Sequence, residues 1–201
     1  MKGRESGMPD EDYWASFYDA GCLVERLLTV IAPNADIAEF GSGYGTFTFP
    51  AAQKTIGRVY AIDIEPDLVE RVRLRANDEQ LTHIVPICRD FVEHGTGLPA
   101  AEIGHAMLYN ILHIENPVAL LREAFRILRP GGSVSVIHWR SDRATPRGPS
   151  LDIRPTPEQC EDWLSAAGFV SLQCVDISCC SHHYAVLAYK PDKAEVLVPG
   201  Q

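Results

Sequence analysis

The sequence predicts one α/β domain: a mostly parallel seven-stranded sheet with helices on both faces and an antiparallel C-terminal hairpin. Three observations lead there. At 201 residues the chain has the length of a single domain, one able to bury roughly 70% of its unfolded surface. From Asp36 onward, short apolar runs alternate with amphipathic ones, the pattern of strands and helices in turn. The last two apolar runs are joined only by a short polar link at Ser181-His182. That is too short for a crossover helix, so these strands pair antiparallel.

In chain order, residues 10–31 carry Tyr13, Trp14, Phe17, Tyr18, Leu23, Leu27 and Leu28, which read as one or two helices forming an N-terminal cap over residues 1–35. Strands are expected at 37–40, 58–62, 84–88, 105–109, 133–139, 170–177 and 183–188, within a core spanning 36–190. Helices are expected at 46–54, 66–78, 117–128 and 157–167. Pro66, Pro117 and Pro157 stand in first turns, where a missing N–H costs nothing. Gly131-Gly132 and Gly168 break two of these helices. Residues 140–157 are rich in Pro and Arg and have no periodicity; loops of that length are uncommon unless they are lids or binding loops. Arg140, Arg143, Arg147 and Arg154 there either tie a solvated loop by surface ion pairs or form an anion-binding lid. Residues 191–201 read as a tail.

The formal charge of −9 sets an unfavourable field against nucleic acid or an anionic membrane surface, so neither is expected as a partner. Residues 1–12 carry charges where a signal peptide needs an apolar run. Apolar stretches elsewhere fall short of the ~20 residues that span a bilayer. A cytoplasmic protein, monomer or homodimer, is expected. Cys22, Cys88, Cys160, Cys174, Cys179 and Cys180 show neither zinc-site spacing nor the density of a disulfide scaffold, so reduced thiols and no metal are expected. Cys179-Cys180-Ser181-His182-His183 holds ligand-type side chains, but alternation along a strand sends neighbours to opposite faces.

The chemistry concentrates in Glu39-Phe40-Gly41-Ser42-Gly43-Tyr44-Gly45, where a strand turns into a helix. Glycines let the backbone turn tightly and approach a ligand, and the first helical N–H groups favour an anionic group. The spacing is G-x-G-x-G with an acid two residues upstream, unlike the G-x-G-x-x-G that seats a dinucleotide pyrophosphate. A second acid, Asp63, ends the next strand, as a ribose-binding carboxylate does.

On these residues the run 38–139 resembles the core of the class I S-adenosylmethionine-dependent methyltransferases, Rossmann-like and of the small-molecule, type 11-like kind. The resemblance implies a glycine cradle at Glu39, Gly41, Ser42, Gly43 and Gly45, and a ribose grip at Asp63 beside Ile64. It implies an adenine-flanking segment at Arg89-Asp90-Phe91 and a wall near the sulfonium at Asn110 and Ile111, within Leu108-Tyr109-Asn110-Ile111-Leu112-His113. Leu128-Arg129-Pro130-Gly131-Gly132 resembles the turn before the fifth strand. Asp90 is read first as an adenine contact, with a helix cap as the other reading, and Tyr13 is a minor candidate contact from the cap. Gly104-His105-Ala106 departs from the family, which often has an aspartate there, so no acidic contact is assigned to it. The implied activity is methyl transfer from S-adenosylmethionine to a small-molecule acceptor. A hydroxyl acceptor would call on His113 or His138 as base; a thiolate would need none. Alternatives are a non-catalytic S-adenosylmethionine-binding regulator and an NAD(P)-dependent oxidoreductase.

Overall fold

The computed structural model describes residues 8–29 and 31–192. Its strands are β1 (Ile37–Phe40), β2 (Val59–Asp63), β3 (Ile84–Cys88), β4 (Ile103–Tyr109), β5 (Leu128–Trp139), β6 (Val170–Val175) and β7 (His183–Tyr189). The helices are α1 (Glu11–Ala15), α2 (Ala20–Leu27), α3 (Thr48–Ala52), α4 (Pro66–Asp78), α5 (Phe91–His94), α6 (Pro117–Ile127) and α7 (Pro157–Ala167), with a 3₁₀ turn at Leu151–Ile153.

The strands lie in the order β3-β2-β1-β4-β5-β7-β6. The β7 strand runs antiparallel to both neighbours and the other pairings are parallel. The expected parallel sheet with an antiparallel hairpin is therefore present. Chain order reverses between β1 and β4, and at such a switch point the loops leaving adjacent strands diverge and open a crevice.

Alternation along the buried strands supplies a core on each face. Ala38 and Phe40 of β1 join α6 and α7 through Leu120, Leu121, Ala124 and Leu164, whereas Ile37 joins α2 and α4 through Leu23, Leu27 and Val72. Asn116 caps α6, a Thr156/Gln159 capping box starts α7, and Gly168 (φ 102°) ends α7 in the left-handed region. His105, at the family departure, is a buried structural group. Its Nδ1 and Nε2 lie 2.7 and 2.8 Å from the Ser133 and Ser135 hydroxyls, and burial pushes its imidazole down to about 3.

Three expectations are corrected and one element is added. The helix expected at 46–54 is α3, Thr48–Ala52 only, because Gly43 and Gly45 take positive φ and hold the preceding residues in turns. The four-residue α5 is too short to show a helical period; Asp90 starts it by accepting from the Val92 and Glu93 N–H groups. The β5 strand begins at Leu128 rather than 133, with irregular pairing until Ser133 meets His105. Finally, the thiols are not all reduced. Cys22 of α2 and Cys179 of the β6–β7 link form a disulfide across 157 residues of sequence, a separation that no local spacing rule reports. Cys180 beside it accepts from the Asp19 N–H at 3.2 Å. No helix among the described residues is long and apolar enough to cross a membrane.

Candidate cofactor and acceptor site

A cavity of about 560 Å³ opens at the carboxyl ends of β1, β2, β4 and β5. One end is built from backbone turns. Gly41 (φ 77°) and Gly43 (φ 52°) take the chain through conformations that a side chain would strain, and a Cβ on Gly41 would stand 3.3 Å from Ile111. Asp63, 4% exposed at the end of β2, fixes this turn: its Oδ2 accepts from the Gly43 N–H at 2.7 Å, and its Oδ1 from the Glu65 N–H at 3.0 Å. Each oxygen keeps a further lone pair. Ile64, Phe91, Asn110 and Ile111 continue the wall.

Two atoms on this wall test whether S-adenosylmethionine fits. Ser42 Oγ and Asn110 Oδ1 are buried with no hydrogen-bond partner among the described residues. Such groups cost about 1–3 kcal/mol each unless a ligand satisfies them. Asn110 holds a left-handed φ of 59°, the kind of strain that collects at ligand sites, and its Nδ2 donates to the Tyr18 hydroxyl at 3.0 Å. A polar nucleoside with an amino-acid tail suits this wall.

Four residues assigned to the cofactor side stand off the wall of this cavity. Glu39 is 1% exposed within β1 and accepts from the Thr48 hydroxyl; burial raises its carboxyl to about 8, with the Asp63 charge adding to the rise. A Cβ on Gly45 would stand 2.6 Å from the Phe49 ring, so that glycine serves helix packing. Tyr13 is 48% exposed, edge-on to Phe17. Its neighbour Trp14 lines the cavity instead. Asp90, besides capping α5, lines a smaller cavity of about 50 Å³ that shares Ile64, Phe91 and Ile111 with the large one.

The other end is walled by side chains. Trp14 comes from the cap, Trp139 from the end of β5, His113 from the loop after β4, and Arg147 to Ser150 with Ile153 from the long loop. Phe47 also lines the cavity, and Met8 lines it beside the Gly43 turn, 3.2 Å from where a Cβ on Gly43 would stand; neither belongs to any motif visible in the sequence. Trp139 lies edge-on to Trp14 and Phe17, with ring centres 6.5 and 5.4 Å apart, and packs on His183, its β7 partner, at 4.1 Å. The long loop is held from within. Arg154, 8% exposed, donates to the carbonyls of Pro149, Arg140 and Arg147, and a Cβ on Gly148 would stand 2.7 Å from the Trp139 ring. Arg140 forks onto Asp142. His113 is on the cavity wall, with His138 fully buried behind it.

A glycine turn clasped by the carboxylate that ends the adjacent strand, at the switch point of this sheet order, defines a nucleoside-binding α/β domain. Comparison specifies which. Residues 38–136 match a family model described as "Methyltransferase domain". The chain is 26% identical over 170 residues to a ribosomal protein L11 methyltransferase of Geobacillus kaustophilus, covering 85% of this chain and 47% of that protein. It is 30% identical over 115 residues to aklanonic acid methyltransferase DauC of Streptomyces sp. (strain C5), covering 55% and 51%. It thus spans about half the length of these curated relatives. A solved S-adenosylmethionine-dependent methyltransferase from Aquifex aeolicus shares the fold, with a TM-score of 0.75, 19% identity, and 90% and 93% of the two chains covered. Over residues 38–136 the chain belongs to the class I S-adenosylmethionine-dependent methyltransferase family, and S-adenosylmethionine is the cofactor of that family.

Proposed function

We propose that the protein transfers a methyl group from S-adenosylmethionine to a small-molecule acceptor. The observation that carries this is one cavity with two unlike ends, a backbone-built nucleoside end and an aromatic end closed by the cap and the long loop. A recess of this size and lining suits a small molecule better than a broad macromolecular surface does. Asp63 would accept from the ribose hydroxyls, Ile64, Phe91 and Asp90 would flank the adenine, and the Gly41–Gly43 turn with Ser42 and Asn110 would meet the amino-acid tail.

The cofactor brings a methyl group already activated on a sulfonium, so the chain's own task is orientation and exclusion of water. Holding the acceptor in line supplies about 7–11 kcal/mol in favourable intramolecular cases. Trp14 and Trp139 form the acceptor walls, the 140–157 segment serves as a lid, and His113, on the cavity wall, would take a proton. The test is a screen of small acceptors, phenols and thiols included, for S-adenosylhomocysteine formation. Binding of S-adenosylmethionine without turnover on any acceptor would favour the regulator. The relative named for ribosomal protein L11 supports a second reading, a protein acceptor, and L11 belongs in the same screen. A cytoplasmic setting remains part of the proposal. There Cys22–Cys179 would face a reducing pool.

A further inference from the structure

The two histidines that sequence reasoning set side by side as bases occupy unequal positions. His113 lines the cavity, whereas His138 is fully buried in β5 and does not reach it. His113 Nδ1 lies 3.3 Å from His138 Nε2, and His138 Nδ1 lies 3.3 Å from the Trp139 carbonyl oxygen. A carbonyl only accepts, so His138 Nδ1 carries the proton of that contact. A neutral imidazole then presents Nε2 as an acceptor, and the donor to it is His113 Nδ1–H. By elimination His113 Nε2 bears a lone pair.

We infer that His138 is a positioning residue: it fixes His113 in the tautomer whose Nε2 is basic, and the site is thereby matched to an acceptor that must lose a proton, such as a hydroxyl. This rests on the methyl-transfer proposal above. In the step, the acceptor O–H proton passes to His113 Nε2, and an oxygen electron pair forms the new O–CH₃ bond. The pair of the breaking S–CH₃ bond stays on sulfur. One positive charge, on sulfonium before and on imidazolium after, is conserved. A histidine in the wrong tautomer is a poor base.

The surroundings keep both rings neutral, as a shared proton requires. Burial holds His113 below its ordinary value and pushes His138 down to about 3, with His113, His183 and Arg154 each opposing a charge on His138. Further titratable or charged groups around the pair are Tyr184 of β7, its ring 6.4 Å from His138, and Asp63, Tyr109 and Arg147, which line the cavity with His113.

The test is ¹⁵N–¹H spectroscopy of the histidine rings in the full chain, free of ligand, from pH 4 to 9. Native protein is expected to show His113 as the Nδ1–H tautomer. His138→Leu should lose that preference and His138→Gln, whose amide oxygen still accepts, should restore it, with circular dichroism reporting whether each variant folds. An Nε2–H tautomer on His113 in native protein overturns the inference, as does an unchanged tautomer in a folded His138→Leu. Kinetics at pH 8 on 4-methylphenol, which keeps its proton there, and on benzenethiol, which is ionised, add a second readout. His138→Leu should lower kcat on the phenol at least about tenfold with little change in KM, leave the thiol rate unaltered, and be rescued by Gln; equal losses on both acceptors overturn the inference. If neither compound is methylated, the methyl-transfer proposal fails on these acceptors, while the tautomer still decides the role of His138.

Discussion

The two ends of the cavity are made of different material. At the cofactor end, Gly41, Ser42 and Gly43 come from one contiguous turn, clasped by one carboxylate through the 2.7 Å contact from the Gly43 N–H to Asp63. At the acceptor end, Trp14, His113, Trp139 and Arg147 come from four separate stretches and meet only because the sheet brings them together. A backbone cradle tolerates little substitution, since φ and close approach both demand glycine. A side-chain wall can change residue by residue without unfolding the sheet. Damage at the first end should therefore remove cofactor binding, and damage at the second should remove turnover while sparing it.

The largest expected effect is at Gly43. Valine there meets a φ of 52° and a contact of 3.2 Å with Met8, so calorimetry should find S-adenosylmethionine binding weakened by more than about 100-fold while circular dichroism remains native. Normal binding would mean that the turn is not the cradle. Asp63→Ala should weaken the cofactor by about 1–3 kcal/mol, removing ribose hydrogen bonds and the brace on Gly43 together. Unchanged affinity would break the proposed asymmetry at its first end.

At the second end, Arg154→Ala leaves three loop carbonyls without their donor. Turnover should fall about tenfold while cofactor affinity stays within about twofold, because a lid acts by excluding water and completing the acceptor pocket. Trypsin should cut after Arg143 or Arg147 faster in the variant than in the native chain. Equal losses of affinity and turnover would show that the two ends are not separable.

The smallest effect is on stability. Glu39, raised from 4.5 to about 8, keeps its proton when folded. Between those values the unfolded chain has released that proton, so stability falls as pH rises through the window. His105, His138 and His183, lowered from 6.5 to about 3, act in the opposite sense, and stability falls as pH drops below 6.5. Glu39→Gln retains an acceptor for Thr48. It should melt with the native protein at pH 5 and a few degrees above it at pH 8, where about 1 kcal/mol shifts Tm by roughly 2–4 °C in a chain of this size.

Legibility in the sequence followed the same division. Strand and helix periods mark almost every element, because burial on both faces of a parallel sheet leaves apolar runs. The glycine turn and Asp63 announce themselves because their chemistry needs fixed residue types at fixed spacing. Met8, Phe47 and Ile153 carry no such mark, since an apolar wall asks only for bulk at the right point in space. Glu39 shows the limit of a motif. The position was recognisable, but its carboxyl accepts from the Thr48 hydroxyl, and only the fold reveals that. The unequal standing of His113 and His138 was likewise hidden, because strand register decides which ring reaches the cavity.

The bond between Cys22 and Cys179 makes most of the polypeptide a covalent ring, and residues 140–157 lie inside that ring. A single cut in this loop therefore cannot divide the molecule: the two pieces stay attached until a reductant is added. Nicked protein should migrate as one species on a non-reducing gel and as two on a reducing gel. The long loop can thus be opened at one peptide bond with the cap still fastened to the far edge of the sheet, so a trypsin-nicked sample measures what an intact loop contributes to turnover without any mutation.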